Sequence, residues 1–409
     1  MEELITVAEA ESIIASTTNR IEEETVSFAN AGCRVLREPV LADRPFPPFD
    51  RVMMDGIAVQ SSHMLEAHAG EFQMEGFAAA GAPRMELMQA QGCVEVGTGA
   101  MLPNGCDAVI PYEHLEISGE QASLKNGFSV KAGQNIHCEG SDYPTEALLV
   151  DSGVILTARE LAVIASCGLS EVKVSRKPRV HVVSIGDELR DIGESVEPYQ
   201  IRRSNAYALN ALFNKHLGAE VKLHHFVDDP QVLERGIPAI LEAADMVVFS
   251  GAVSRGKKDY LANVLQKLGV ERQFHGVNQK PGKPMWYGLT KGGAQVFALP
   301  GNPVSSMVCA IRYVLPTLSR MVGLEPFEPL WVAMTETYCF PPFQTLFLPV
   351  EFGSRRDATL TARPRPINSS GDLVSIIYTN GFIELPEDLQ EFPTGYAARY
   401  FPWGHCIGC

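Results

Sequence analysis

The chain has 409 residues, 45% of them hydrophobic and 20% charged, with a formal net charge of −15. This length is too great for one compact core and sets an expectation of two to four domains. The acidity argues against general nucleic-acid binding, which needs a basic face, and no apolar run approaches the roughly 20 residues that span a bilayer.

Met1-Glu-Glu-Leu lacks the basic start of a secretory signal, and the nine cysteines are scattered and odd in number. A cytoplasmic protein with reduced thiols is the expectation. In chain order, Thr6-Val-Ala-Glu9 is a capping box, and a helix with Ala10, Ile13 and Ile14 on its apolar side should follow. A second helical stretch is predicted over 23–37. Asp43 to Asp50 carries three prolines within four residues and reads as an extended linker.

From 47 to 140 the patterns are short and strand-like, as in Gly56–Val59, Cys93–Val96, Ala108–Pro111 and Phe128–Val130. A β-rich domain is expected there. Thr157-Ala-Arg-Glu160 is a second capping box, before a helical run to Cys167 and a C-cap at Gly168. The β-rich segment therefore reads as an insertion into an N-terminal helical and extended domain.

From 177 strands and helices alternate. Strands are predicted at Val180–Ile185, Val221–Val227, Met246–Phe249 and Val296–Leu299. Helices are predicted at Ser204–Leu217, from Pro230 to about Ala243, at Tyr260–Leu268 and at Pro303–Met321. This is the pattern of a doubly wound parallel α/β domain. Beyond Pro326 a small proline-rich β domain closes the chain. The expected division is 1–46 with 141–176, 47–140, 177–325 and 326–409.

Loops that follow the carboxyl ends of strands in an open α/β sheet bind ligands, and three here are rich in glycine, proline and charge. Ser184-Ile-Gly-Asp-Glu188 sets Asp187 and Glu188 after a strand, as metal ligands or as a turn with a helix cap. Asp229 before Pro230 is read as a plain N-cap. Ser250-Gly-Ala-Val-Ser254 leads to Asp259, which can cap the next helix or hold a metal. In Leu299-Pro-Gly-Asn-Pro303, Pro300, Gly301 and Asn302 either make a tight strand-to-helix turn or precede a helix whose first N–H groups would face a phosphate or pterin. Between them, Lys280-Pro-Gly-Lys-Pro284 holds two cations on a rigid turn, which an anion would join, or is a solvated charged turn. Asp55 before Gly56 is a turn residue or a catalytic one. His405-Cys-Ile-Gly-Cys409 lacks a second ligand pair for zinc and reads as a free tail.

Taken together and in this order, Met54-Asp-Gly56, Thr98-Gly-Ala-Met-Leu-Pro103, Gly105-Cys-Asp-Ala-Val109 and the four loops above resemble the MoeA family. These are the molybdopterin molybdenumtransferases that include the gephyrin E domain. The resemblance implies an elongated four-domain subunit with a MogA-like α/β domain. It implies a homodimer whose active site is shared between subunits. It also implies insertion of molybdate into adenylylated molybdopterin with Mg²⁺ dependence and release of AMP. Asp187, Glu188 and Asp259 would then hold Mg²⁺, with Asp55, Glu188 and Asp259 catalytic. Thr98, Asp142, Ser184, Gly186, Ser250, Gly251, Ser254, Lys280, Lys283, Pro300, Gly301, Asn302 and Ser370 would bind the pterin, the phosphates or molybdate. A molybdopterin adenylyltransferase and recipient molybdoenzymes are the implied protein partners. The rival readings are a scaffold without catalysis and an adenylyltransferase. The family pattern departs at Arg51-Val-Met53 and at Ala252, where glycine is usual and a negative φ is needed to avoid strain.

Overall fold

The computed structural model describes residues 4–65, 70–125, 128–215, 218–253, 260–326 and 328–404. The chain falls into two compact units: Pro39–Asp151 with Arg159–Ser170, and the remainder, Met1–Glu38, Ser152–Ala158 and Glu171–Cys409.

The larger unit begins with the helix Val7–Thr17. Thr6 caps it, and the Glu9 side chain returns to the Thr6 backbone, so the capping box forms. Residues 23–37 are not a helix. Glu23–Ser27 is a strand paired antiparallel with Glu171–Ser175, followed by a 3-10 turn at Phe28–Asn30. The β-branched Thr25 and Val26 favour extended backbone, and Gly32 with Cys33 at φ 61° breaks any helical continuation.

The α/β core is a six-stranded sheet. Glu220–Phe226, Arg179–Ile185, Met246–Ser250 and Gln295–Leu299 are neighbours in that order and all parallel. These four are the predicted strands. Two more extend the sheet antiparallel, Trp286–Leu289 and then Glu271–His275, so the sheet is mixed. The central strands are buried on both faces, as parallel strands under helices must be. One face packs on Ser204–Lys215 and Pro303–Cys309, the other on Pro230–Ala243 and Leu261–Lys267. Asp229 accepts from the Gln231 and Val232 N–H groups at 2.8 and 3.0 Å with Pro230 at the first turn, the structural role read from sequence. The helix Pro303–Cys309 runs into a π-helical stretch, Ala310–Val314, and then Leu315–Met321.

The closing β segment curls into a barrel. Thr345–Ser354, Leu360–Pro364, Leu330–Met334, Ala397–Pro402 and Gly381–Leu385 pair in sequence, and the last pairs back with the first. Its wall also takes in Gln279–Lys280, parallel to Thr345–Leu346. The first lysine of the cationic loop is therefore strand, not turn.

The smaller unit has a six-stranded sheet in the order Ala108–Pro111, Gly56–Val59, Gly92–Val96, Glu71–Ala78, Gln121–Leu124, Leu115–Ser118. Phe128–Val130 is not one of its strands. Phe128 instead stacks on His114 with ring centroids 4.0 Å apart, so it is covered without pairing. The helix Ala158–Ser166 ends at Gly168, whose φ is 72°.

His181 and His224 stack across neighbouring strands with centroids 4.9 Å apart. Burial, and next the His224 charge, push His181 down to about 4 from its ordinary 6.5. The unfolded chain binds the proton at a higher pH than the fold does. Stability from this site is therefore complete above about pH 6.5 and lost as pH falls toward 4. By the size of the shift, the loss at the acid end is on the order of 3 kcal/mol. His181→Phe should narrow the difference between urea midpoints at pH 7.5 and 4.5. An unchanged difference would assign acid sensitivity to other groups.

Candidate functional site

The loops after the three central parallel strands converge, as the topology requires. Ser184 and Ser250 lie side by side in the parallel register of Arg179–Ile185 and Met246–Ser250, and both are buried. Asn205, in the first turn of Ser204–Lys215, donates to Ser250 Oγ at 2.9 Å and to the Gly301 carbonyl at 2.8 Å. It thus ties the loop at 250 to the loop at 301. Sequence reading treated this asparagine as part of a helix start; its only signal was a polar residue behind two small-residue loops.

Gly251 has φ 97°, and a side chain there would bring Cβ to 2.9 Å from the Ile185 carbonyl. Glycine is required on both counts. Ala252 follows at φ 57°, so the departure from the usual glycine carries backbone strain. Left-handed backbone costs a non-glycine residue about 1–2 kcal/mol, partly offset by glycine's greater unfolded entropy. Ala252→Gly should therefore raise stability by about 0.5–1 kcal/mol. A urea titration that gave a lower midpoint would contradict this.

Asp187 and Glu188 are exposed after Ile185. Asp187 Oδ1 accepts from the Asp228 N–H at 3.2 Å, and the His225 ring lies 3.1 Å from the Gly186 carbonyl. The Glu188 carboxylate lies against Gly186, 2.7 Å from where a Cβ would stand. Asn302 donates to Ser370 Oγ at 2.7 Å, and the Val304 N–H donates to the Ser370 carbonyl at 3.1 Å. The barrel loop thereby meets the start of helix Pro303–Cys309. Pro300 is buried, while Gly301 and Asn302 are exposed. Lys280 and Lys283 are both exposed, and Lys280 Nζ sits 5.4 Å from the Phe340 ring centroid. Ser254, Asp259 and the 405–409 tail lie outside the described residues. Among the described residues, no group of three or more His, Cys, Asp or Glu is placed to hold a metal ion.

A second group sits in the smaller unit. Asp55 follows Arg51–Val52 and precedes the strand Gly56–Val59. Its Oδ1 accepts from the Thr98 N–H at 2.6 Å and from the Thr98 hydroxyl at 2.9 Å. Those bonds, the backbone one first, hold its carboxyl below the usual carboxylate range. Tyr112, whose hydroxyl donates to Glu95, is pushed up to about 12 by burial and by that carboxylate. Asp142 meets His137 Nε2 at 2.9 Å, and His137 Nδ1 lies 3.0 Å from Arg51. His137 and Arg51 had no assigned role in the sequence reading, yet they orient the predicted Asp142.

The arrangement sets small-residue loops and two exposed lysines in one unit, and in the other a carboxylate kept ionised by two hydrogen bonds. The chain matches two family models. The MoeA N-terminal region (domain I and II) covers residues 5–168, and a probable molybdopterin binding domain covers residues 181–320. It is 36% identical over 403 residues to the molybdopterin molybdenumtransferase of Synechocystis, spanning 98% of this chain and 100% of that protein. It is 30% identical over 406 residues to the molybdopterin molybdenumtransferase of Staphylococcus aureus, spanning 96% and 94%. A crystal structure of a molybdopterin biosynthesis MoeA protein from Pyrococcus horikoshii superposes with TM-score 0.84 at 29% identity, covering 99% of this chain and all of the other. No helix among the described residues is long and apolar enough to cross a membrane.

Proposed function

The chain belongs to the MoeA family, transferases of molybdenum cofactor biosynthesis, and from that premise we propose which residues act on the substrate and how. The substrate is adenylylated molybdopterin, and molybdate enters its dithiolene as AMP leaves. The observation that carries this reading is the Asn205 bridge, which joins the Ser250 and Gly301 loops into one small-residue seat beside Ser184. Backbone N–H groups and small side chains of that kind suit a phosphate or pterin edge.

Lys280 and Lys283 supply the positive charge for the oxyanion, and Ser370 with Asn302 lines the helix start beside the seat. Asp187, Glu188 and Asp259 would hold Mg²⁺, which takes one or two carboxylates together with substrate phosphates. The exposed pair at 187 and 188 fits that donor set once phosphate is present. Magnesium would there neutralise phosphate charge. Asp55, Thr98 and Asp142 act from the partner subunit of a homodimer. The four-domain division and a cytoplasmic setting belong to the same proposal.

The test is anaerobic incubation of the purified protein with adenylylated molybdopterin, Mg²⁺ and molybdate, following AMP release and activation of a cofactor-free molybdoenzyme. Molybdate-dependent AMP release with activation is the expected result. Binding without release would replace catalysis by a scaffold role, and adenylylation from ATP would replace it by the adenylyltransferase reaction. Lys280→Ala should weaken molybdate binding roughly tenfold at low salt, by loss of one charge-assisted contact. Screening should shrink the difference at high salt. Equal affinities at low salt would remove Lys280 from the seat.

A further inference from the structure

The cationic turn is held from beneath by three buried side chains that no sequence motif singles out. Gln279 is fully buried, and Tyr313 and Cys309 are 2% and 0% exposed. Tyr313 donates its hydroxyl proton to Gln279 Oε1. Gln279 Nε2 donates to the Pro281 carbonyl at 3.2 Å and toward Cys309 Sγ at 3.5 Å. The Cys309 thiol points to the Gly282 carbonyl at 3.9 Å. Each carbonyl between Lys280 and Lys283 therefore faces this cluster, and both lysines project from it into solvent.

The fit is tight. Gly282 has φ 94°, and a Cβ there would stand 2.5 Å from Cys309 Sγ and 2.6 Å from Gln279 Nε2. The turn can lie on the cluster only because it has no side chain at that point. Burial pushes the Cys309 thiol up to about 12 and raises the Tyr313 hydroxyl too, so both stay protonated and remain donors. The π-helical stretch Ala310–Val314 matters here. Its wider turn lets successive residues reach different partners: Arg312 goes to Glu11 and Glu384, and Tyr313 goes to Gln279.

We propose that Gln279 and Tyr313 are positioning residues for oxyanion capture, fixing the backbone between Lys280 and Lys283 so that the two ammonium groups address one tetrahedral anion. They touch no substrate and act through the lysines. The proposal rests on the reading of those lysines as the molybdate seat. Holding two like charges at one spacing needs a rigid mount, because free lysines would separate. Removal of the mount therefore changes affinity for the anion rather than the rate at saturation.

The experiment measures molybdate binding by equilibrium dialysis at low salt on the whole protein. It compares wild type, Tyr313→Phe, Lys280→Ala and the double variant, with thermal midpoints for all four. Tyr313→Phe removes one hydroxyl and keeps the ring, so it should fold. The expected result is a three- to tenfold loss of molybdate affinity in Tyr313→Phe, and a much smaller loss when the same change is made in Lys280→Ala. In turnover assays the molybdate KM should rise with kcat retained. Gln279→Leu, which removes both donors and the acceptor at similar size, should reproduce the affinity loss. Equal affinity in Tyr313→Phe and wild type would overturn the proposal and leave the molybdate seat standing. The same fold loss with and without Lys280 would also overturn it, because a purely structural effect does not depend on the lysine. Failure of wild type to bind molybdate would sink the seat and this inference together.

Discussion

Arg312→Ala should lower the stability of the larger unit by about 3 kcal/mol or more, the cost of breaking a buried ion pair from one side. Arg312 is 2% exposed and donates to Glu384 at 2.7 Å and to Glu11 at 2.8 Å. Its guanidinium also lies 5.3 Å from the Phe401 ring centroid and 5.6 Å from that of Tyr313. One cation thus joins the first helix, the π-helical stretch and the barrel wall. Without it Glu384 keeps, among the described residues, the ion pair with the partly exposed Arg399 at 3.4 Å, and Glu11, which is half-buried, turns to water. The effect therefore falls at the lower end of the usual 3–5 kcal/mol range. Arg312→Met fills the volume but leaves Glu11 without its arginine and Glu384 with only the longer Arg399 contact, so it should recover little. Urea midpoints for both variants check this. A loss under about 1 kcal/mol would mean that the pairs only offset their own desolvation.

The parts of this architecture legible in the sequence are those where one physical cause dominates. Val180–Ile185 and Met246–Phe249 read as strands because a parallel strand covered on both faces must be apolar throughout. Trp286–Leu289 and Glu271–His275 did not, since the edge strand Glu271–His275 carries Arg272 and His275, and Trp286–Leu289 inside it is only four residues long and contains Gly288, so neither matches a period. Gln279–Lys280 is only two residues long, and its pairing with Thr345–Leu346 is a tertiary event with no local signal. Glu23–Ser27 was misread because a helical period was credited to a stretch whose β-branched pair and glycine oppose it.

The site follows the same division. Gly251, Gly301 and Asn302 were singled out because small residues after buried strands mark where a backbone can meet a ligand. Asn205 was missed because a single asparagine at a helix start is ordinarily a local cap, and only the fold shows that it reaches Ser250 and Gly301. The Asp55–Thr98 contact joins residues 43 apart. Family resemblance named both residues, but the reason Asp55 is ionised lies in the two hydrogen bonds that the fold supplies.

Asp55→Asn should cut molybdate-dependent AMP release and cofactor activation by roughly 100-fold or more, the usual scale for losing a proton-accepting group. Asparagine can still accept from the Thr98 N–H and hydroxyl through its own oxygen, so the loop stays in place and the charge alone is lost. Release of AMP adds water across a phosphate linkage, and the proton of that water needs an acceptor. A carboxylate held below its ordinary range is available as that acceptor through the whole neutral and mildly acidic range. The acid limb of the rate profile should accordingly lie low in wild type and move upward in Thr98→Val, which removes one of the two bonds that favour the charged form. Substrate affinity should change little in Asp55→Asn, because the phosphate and oxyanion contacts proposed above belong to the other compact unit. Turnover within twofold of wild type would remove Asp55 from the chemistry. A rise in KM with kcat retained would instead make it a binding residue. An unmoved acid limb in Thr98→Val, with Asp55→Asn inactive, would place the titrating group elsewhere and leave Asp55 acting by charge alone.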